Sequence, residues 1–224
     1  MSELLLILGV LVESLLIWSI LVRDSKYRLR GFITVNMILV SLFSQKLMTV
    51  FGLTANVGCI FYGTVFVSQY ILYSAYGEEE AKTCLNMVLF NLATATGLSF
   101  LLLNFPTVIG NETSAMLING ILSVQVKVVV ASYLAFYISQ VVFIKVLHWL
   151  VPKEHSYTSR YFASVFISQL VDSFLFFSIA FSQLPFAQLG SIIVSGYIIK
   201  MVVALLFTPL LFFKRTRLKH LMVN

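Results

Sequence analysis

Seven apolar runs, each of about twenty residues, fill most of this chain: 4–22, 31–51, 58–76, 83–105, 122–147, 160–184 and 191–213. Runs of that length suit a lipid bilayer, where each backbone N–H and C=O must find its partner within its own segment. The expectation is therefore an all-α polytopic membrane protein with seven transmembrane helices. The stretch 116–150 is too long for one straight span, so 116–121 is expected in the interface or as a tilted extension. The first run lacks a basic leader and a small-residue cleavage site, and so reads as a retained helix rather than a signal peptide. Composition agrees: 59% hydrophobic and 11% charged residues leave almost no material for an extramembrane domain.

Loop charges set the expected orientation. Arg23, Lys26, Arg28 and Arg30 follow the first run, and Lys82 the third. Lys145, Lys153 and Arg160 surround the fifth connection, and Lys214, Arg215, Arg217 and Lys219 form the tail. The alternate loops, near Asn56, Asn111 and Gln188, hold no Lys or Arg. All basic loops share one side only if the span count is odd. Seven spans then put the N-terminus outside and the C-terminus in the cytoplasm of a cell-membrane protein. The basic tail reads as an anchor for the last helix, not as a nucleic-acid patch. The sequon Asn111-Glu112-Thr113 is too short a signal to carry function.

Enzymatic chemistry finds little equipment here. Cys59 and Cys84 fall at opposite ends of neighbouring runs, so no disulfide is expected between them, and two thiols make no thiolate metal site. His148, His155 and His220 lie in or beside loops. No HExxH, GxSxG or P-loop pattern occurs. No cofactor and no metal are expected, and the chain does not read as an enzyme.

What the bilayer makes conspicuous is charge within the apolar runs. Lys46, Lys127, Lys200 and Asp172 stand there, and such residues face a bundle interior or a wet cavity. Lys46 and Lys127 stand near the outer third of their spans, where Lys46 has the option of snorkelling outward. Glu13 shows no obvious partner. In the third run Tyr62, Phe66, Gln69, Tyr73 and Tyr76 share one helical stripe. Rings with one amide suit a flat polar heterocycle; the plainer reading is interhelical packing and an interfacial Tyr belt. In the sixth run Ser164, Ser168, Gln169 and Asp172 share a face below Arg160. Asp172 falls near the midplane, placed either to accept N–H groups from a bound base, to carry a proton, or to lock helices by pairing with Lys127 or Lys200. Ala131-Ser132 with Ser139-Gln140 echoes Ala163-Ser164 with Ser168-Gln169, a pattern that also serves close helix contact. Lys46, Gln69, Lys127, Gln140, Gln169, Asp172 and Lys200 are expected to line one central cavity. Tyr73, Arg160 and Ser164 complete the candidate substrate-binding set.

An ordered series of residues resembles the queuosine precursor transporters, also called the vitamin uptake transporter family. It comprises Lys46 with Phe51-Gly52, Phe66 through Tyr76-Gly77 and Ala81, and Lys127 before Ala131-Ser132. Gln140, Ala163-Ser164 to Asp172-Ser173, Phe177, Tyr197, Lys200 and Pro209 complete the series, which covers about residues 40–213. The resemblance implies a six-helix core like that of the substrate-binding subunits of energy-coupling-factor transporters. It also implies uptake of 7-deazapurine precursors of modified tRNA bases. The pattern departs where the family usually has an acid and this chain has Tyr70, where a charged residue is frequent and this chain has Ser74, and at Phe143 in place of an aspartate.

The domain reading that follows is an extra N-terminal helix and basic loop at 1–30, a six-helix core at 31–213 and a basic tail at 214–224. The expected activity is uptake of a small planar polar solute of the 7-deazapurine or nucleobase kind, within a lipid bilayer. The alternatives are a binding subunit served by a separate ATPase, and an intramembrane enzyme. Whether the chain forms a homodimer is left open.

Overall fold

The computed structural model describes residues 2–23, 25–44, 46–103, 105–106, 113–114, 116, 126–153, 156–183 and 185–211. Asn111, the predicted interfacial stretch from 117 on, the side chains of Lys127, Lys153 and Gln188, His155, and the tail with His220 lie outside them. So does the start of the predicted fifth span.

Seven α-helices carry the described fold: α1 (Ser2–Val22), α2 (Lys26–Phe43), α3 (Cys59–Tyr76), α4 (Glu78–Leu102), α5 (Val126–Leu150), α6 (Tyr157–Ala180) and α7 (Phe186–Leu206). A hairpin of β1 (Leu47–Val50) and β2 (Leu53–Asn56) joins α2 to α3, and a 3-10 turn, Val151–Lys153, follows α5. Among the described residues, five stretches are long and apolar enough to cross a membrane: Ser2–Val22, Glu78–Leu102, Val128–Leu150, Tyr157–Ala180 and Leu189–Leu206. The helices α2 and α3 are not among them.

Local chemistry sets the helix ends. Ser25 caps α2 by accepting from the Arg28 amide, and Ser156 caps α6 by accepting from Ser159. Gly77, at φ 90°, is the one-residue corner between α3 and α4. Its amide donates to the Tyr73 carbonyl at 2.9 Å, and a side chain there would strain the corner.

Burial shows the solvent for which the surface is made. On α1, Leu6, Val10, Glu13 and Ile17 are buried at helical spacing, while Leu4, Leu5, Leu8, Leu11 and Leu15 are exposed. On α4 the buried face is Ala81, Cys84, Leu85, Val88 and Leu92. Exposed Leu and Phe over whole helix faces would aggregate in water, and suit hydrocarbon. By contrast α3 is buried on nearly every side from Cys59 to Leu72, as befits a central helix. Gly63 makes that position possible, because a Cβ there would come within 2.5 Å of Val203 on α7.

The two ends of the bundle differ. At the basic end, Glu80 on α4 pairs with Lys26 and with Arg30 on α2, and Glu78 meets His148 on α5. At the other end Glu3 accepts from the Phe51 amide at the tip of the hairpin.

The hairpin corrects the predicted second span, which was expected to run helical to residue 51. Helix α2 stops at Phe43, and Lys46 then stands exposed just before β1. Phe51 and Gly52 form the two-residue turn, both at positive φ, 52° and 74°. That geometry matches the twist of the strands better than common turns do. β-branched Thr49, Val50 and Thr54 favour strand over helix. The strand hydrogen bonds also satisfy backbone that would otherwise be orphaned beside lipid.

Candidate functional site

Asp172 and Lys200 meet in the interior. Four residues from four helices build this cluster. Asp172 comes from the middle of α6 and Lys200 from α7, with Nζ 2.5 Å from Oδ2. Tyr62, on α3, donates its hydroxyl to Oδ1 at 2.6 Å. Ser139 on α5 reaches the same oxygen at 3.5 Å. The ammonium also lies 4.9 Å from the centre of the Tyr62 ring, within range of a cation–π contact. Both charged side chains are buried. The carboxylate thus has a cation on one oxygen and a hydroxyl on the other, the compensation a charge needs away from water.

These groups open onto a cavity of about 560 Å³, its mouth included. Ser41, Ser44, Ser132, Tyr133 and Asn56 border it, the four hydroxyls each donating to a backbone carbonyl, with Phe136 and Phe176 as aromatic walls. The hairpin supplies Asn56 and its junction with α3 supplies Gly58 and Cys59. Cys59 and Cys84 are free and buried. The cavity offers a compact set: one carboxylate, one ammonium, several hydroxyls and flat apolar surfaces. A ligand with adjacent donor and acceptor on one edge would match the ion pair without requiring net charge.

A second pocket, of about 620 Å³ with its mouth, opens at the basic end. Tyr70, Tyr73, Ser74, Gly77, Glu78, Tyr157 and Arg160 line it. Tyr70 and Ser74, two of the positions where the chain departs from the family pattern, are therefore neighbours here. Between the pockets α3 presents Phe66, whose ring meets Phe143 edge-on at 5.2 Å, and then Tyr70, whose ring meets Tyr161 at 5.3 Å. All four rings are fully buried and separate the two spaces.

The expected single site is thus divided. Asp172 and Lys200 line the mid-depth cavity, and Tyr73 and Arg160 line the basic-end pocket. Gln69 faces neither: its amide donates to the Ala81 carbonyl at 2.8 Å and ties α3 to the first turn of α4. Ser164 returns its hydroxyl to the Arg160 carbonyl one turn back, at 2.8 Å. Lys46 lies exposed beside the hairpin and outside the cavity. Gln140 and Gln169 are buried in the bundle, both amide atoms of Gln140 and the Gln169 oxygen without a partner. Glu13, partnerless by sequence, is buried against Asn36 of α2 and Thr64 of α3.

Residue periodicity did mark Tyr62, on the stripe shared with Gln69, but as a ring rather than as the hydroxyl that holds Asp172. Ser139 stood within the repeated Ser-Gln pairs, and nothing in its own sequence distinguished it from a packing serine. Ser41, on α2, carried no such signal.

Comparison with known proteins agrees with this architecture. The family described as "Putative vitamin uptake transporter" matches residues 56–213. A "Probable queuosine precursor transporter" of Bacillus subtilis (strain 168) is 30% identical over 168 residues, covering 73% of this chain and 73% of that protein. No solved structure matches. With its lipid-suited helix faces the chain is a multi-pass membrane protein, and it belongs to the vitamin uptake transporter family.

Proposed function

We propose that this protein imports a neutral, planar heterocycle of the 7-deazapurine kind, and that the mid-depth cavity is where the solute binds. The observation that carries the proposal is the compensated Asp172–Lys200 pair bordering a cavity with hydroxyl and aromatic walls. A lactam edge presents a carbonyl to the ammonium and a ring N–H to the carboxylate, while the ring lies against Phe136 or Phe176. The name of the Bacillus relative supports the same solute class.

In this reading all seven helices cross the bilayer, α2 completing its passage through the hairpin. The basic end faces the cytoplasm, since Lys26, Arg28, Arg30 and Lys82 gather there. The mid-depth cavity then loads from outside, and the Phe66–Phe143 and Tyr70–Tyr161 contacts form the closed inner barrier. Transport requires those rings to part while the cavity closes behind the solute.

The test is uptake of a labelled 7-deazaguanine derivative into proteoliposomes holding this chain alone. Uptake without an added ATPase is expected. Asp172→Asn should weaken apparent affinity by about 10- to 150-fold, the worth of one charge-assisted hydrogen bond. Uptake that appears only with an ATPase partner would reassign the chain as a binding subunit. Unchanged affinity in a folded Asp172→Asn would remove the carboxylate from the site.

A further inference from the structure

Among the described residues, the cation lining the pocket at the basic end has no counter-charge. Among the described residues Arg160 finds no ion pair and no side-chain hydrogen bond, and its Nε is buried without an acceptor. The Tyr157 hydroxyl, lining the same pocket one turn earlier on α6, has the Ser74 hydroxyl of α3 beside it. Buried polar atoms in native proteins almost always have partners, so the unpaired Nε is an exception that a ligand would remove. The carboxylate of Glu78, which also lines the pocket, is engaged elsewhere. One oxygen lies 2.8 Å from Lys82 and the other 2.6 Å from His148.

We propose that this pocket binds an anion, with Arg160 and Tyr157 donating to a carboxylate or phosphate oxygen. Arg160 is a donor with no acceptor to offer, so its missing partner must supply lone pairs, and the Tyr157 hydroxyl can donate to the same group. The fixed guanidinium charge selects a negative ligand over a neutral one. The site lies where α6 begins, and the positive end of that helix adds to the same preference. Ser74, across the pocket on α3, supplies a further hydroxyl. The space is ample for a phosphate-sized group. Two sources carry this chemistry at the end of a membrane bundle: the headgroup of an anionic lipid, and a free anion. The proposal is independent of which solute occupies the mid-depth cavity, since the two pockets share no lining residue.

The experiment reads melting temperature of the purified full chain in two arms. In detergent with zwitterionic lipid, sodium phosphate is titrated against sodium chloride of equal ionic strength. In nanodiscs, phosphatidylcholine is compared with phosphatidylcholine containing phosphatidylglycerol. Each arm uses wild type, Arg160→Gln, Tyr157→Phe and, as a control at the opposite end, Lys46→Gln. Stabilisation of wild type is expected in at least one arm. Arg160→Gln should abolish it, Tyr157→Phe should weaken the midpoint by about tenfold, and Lys46→Gln should leave it intact. A response to phosphate identifies a soluble anion, and a response confined to phosphatidylglycerol identifies a headgroup. If neither anion stabilises wild type beyond its control, or Arg160→Gln keeps the whole response, the proposal fails. Should Arg160→Gln not fold, an unchanged response in Tyr157→Phe overturns it.

Discussion

The two pockets handle charge in opposite ways. At mid-depth the Asp172 carboxylate is held by Lys200 and Tyr62, so the protein itself provides the partners. At the basic end Arg160 is left with a pocket before it and a carboxylate, Glu78, already occupied by Lys82 and His148. Depth explains the contrast. A charge in the middle of a bilayer has no water to retreat to, and the fold must neutralise it before any ligand arrives. A guanidinium near the membrane surface can wait for a ligand, because water and headgroups are within reach of its pocket. The satisfied pair therefore couples helices, while the half-buried cation is the group that the proposed anion would complete.

The largest expected effect tests the coupling. Lys200→Met leaves Asp172 as an uncompensated buried charge, and breaking such a pair costs roughly 3–5 kcal/mol. The melting temperature of the detergent-solubilised chain should fall steeply. Adding Asp172→Asn in the same chain should recover most of the loss. If Lys200→Met melts like wild type, the pair does not hold α6 to α7, and the contrast between the pockets collapses.

Tyr62→Phe gives a smaller effect and sharpens the same comparison. It keeps the ring beneath the ammonium and removes one hydrogen bond to a charged group, worth about 1.5–3 kcal/mol. Solute affinity and melting temperature should both drop, in the order wild type, Tyr62→Phe, Lys200→Met for stability. A variant with unchanged stability and unchanged uptake would show that Ser139 alone suffices to hold the second carboxylate oxygen.

The smallest effect is expected at the other pocket. Arg160→Met, measured without phosphate and in zwitterionic lipid, removes no ion pair. Its stability should not fall, and removing the unpaired Nε leaves room for a gain of about 1–3 kcal/mol at most. A loss on the scale of Lys200→Met would mean that Arg160 is a structural member of the bundle, and the two pockets would then be alike.

Much of this was legible in the chain. Helix existence followed from apolar run length, and the inward faces of α1 and α4 follow a helical period. That Asp172 and Lys200 turn into the interior followed from their depth. Two expectations did not survive, each for a local reason. Run length could not distinguish helix from hairpin after Phe43, because Leu47–Val50 is apolar in either form, and Phe51 is an unusual residue at positive φ. Gln69 looked like a ligand group by depth and stripe, yet its amide is used to hold the α3–α4 corner.

What the sequence determined by itself is the solvent and the class: long apolar segments without internal polar relief can only be helices in lipid, and the charges among them must turn inward. What the tertiary structure decided is which polar groups meet. Asp172 had Lys127 and Lys200 as equal candidates along the chain. Only the placement of α7 against α3 and α6, permitted by the missing side chain at Gly63, brings Lys200 to it. In the same way one set of site residues became two, because the packed rings of Phe66, Phe143, Tyr70 and Tyr161 stand between them. Periodicity fixes the face on which a residue lies. Which helix that face meets, and at what height, is set by packing between segments far apart in the chain.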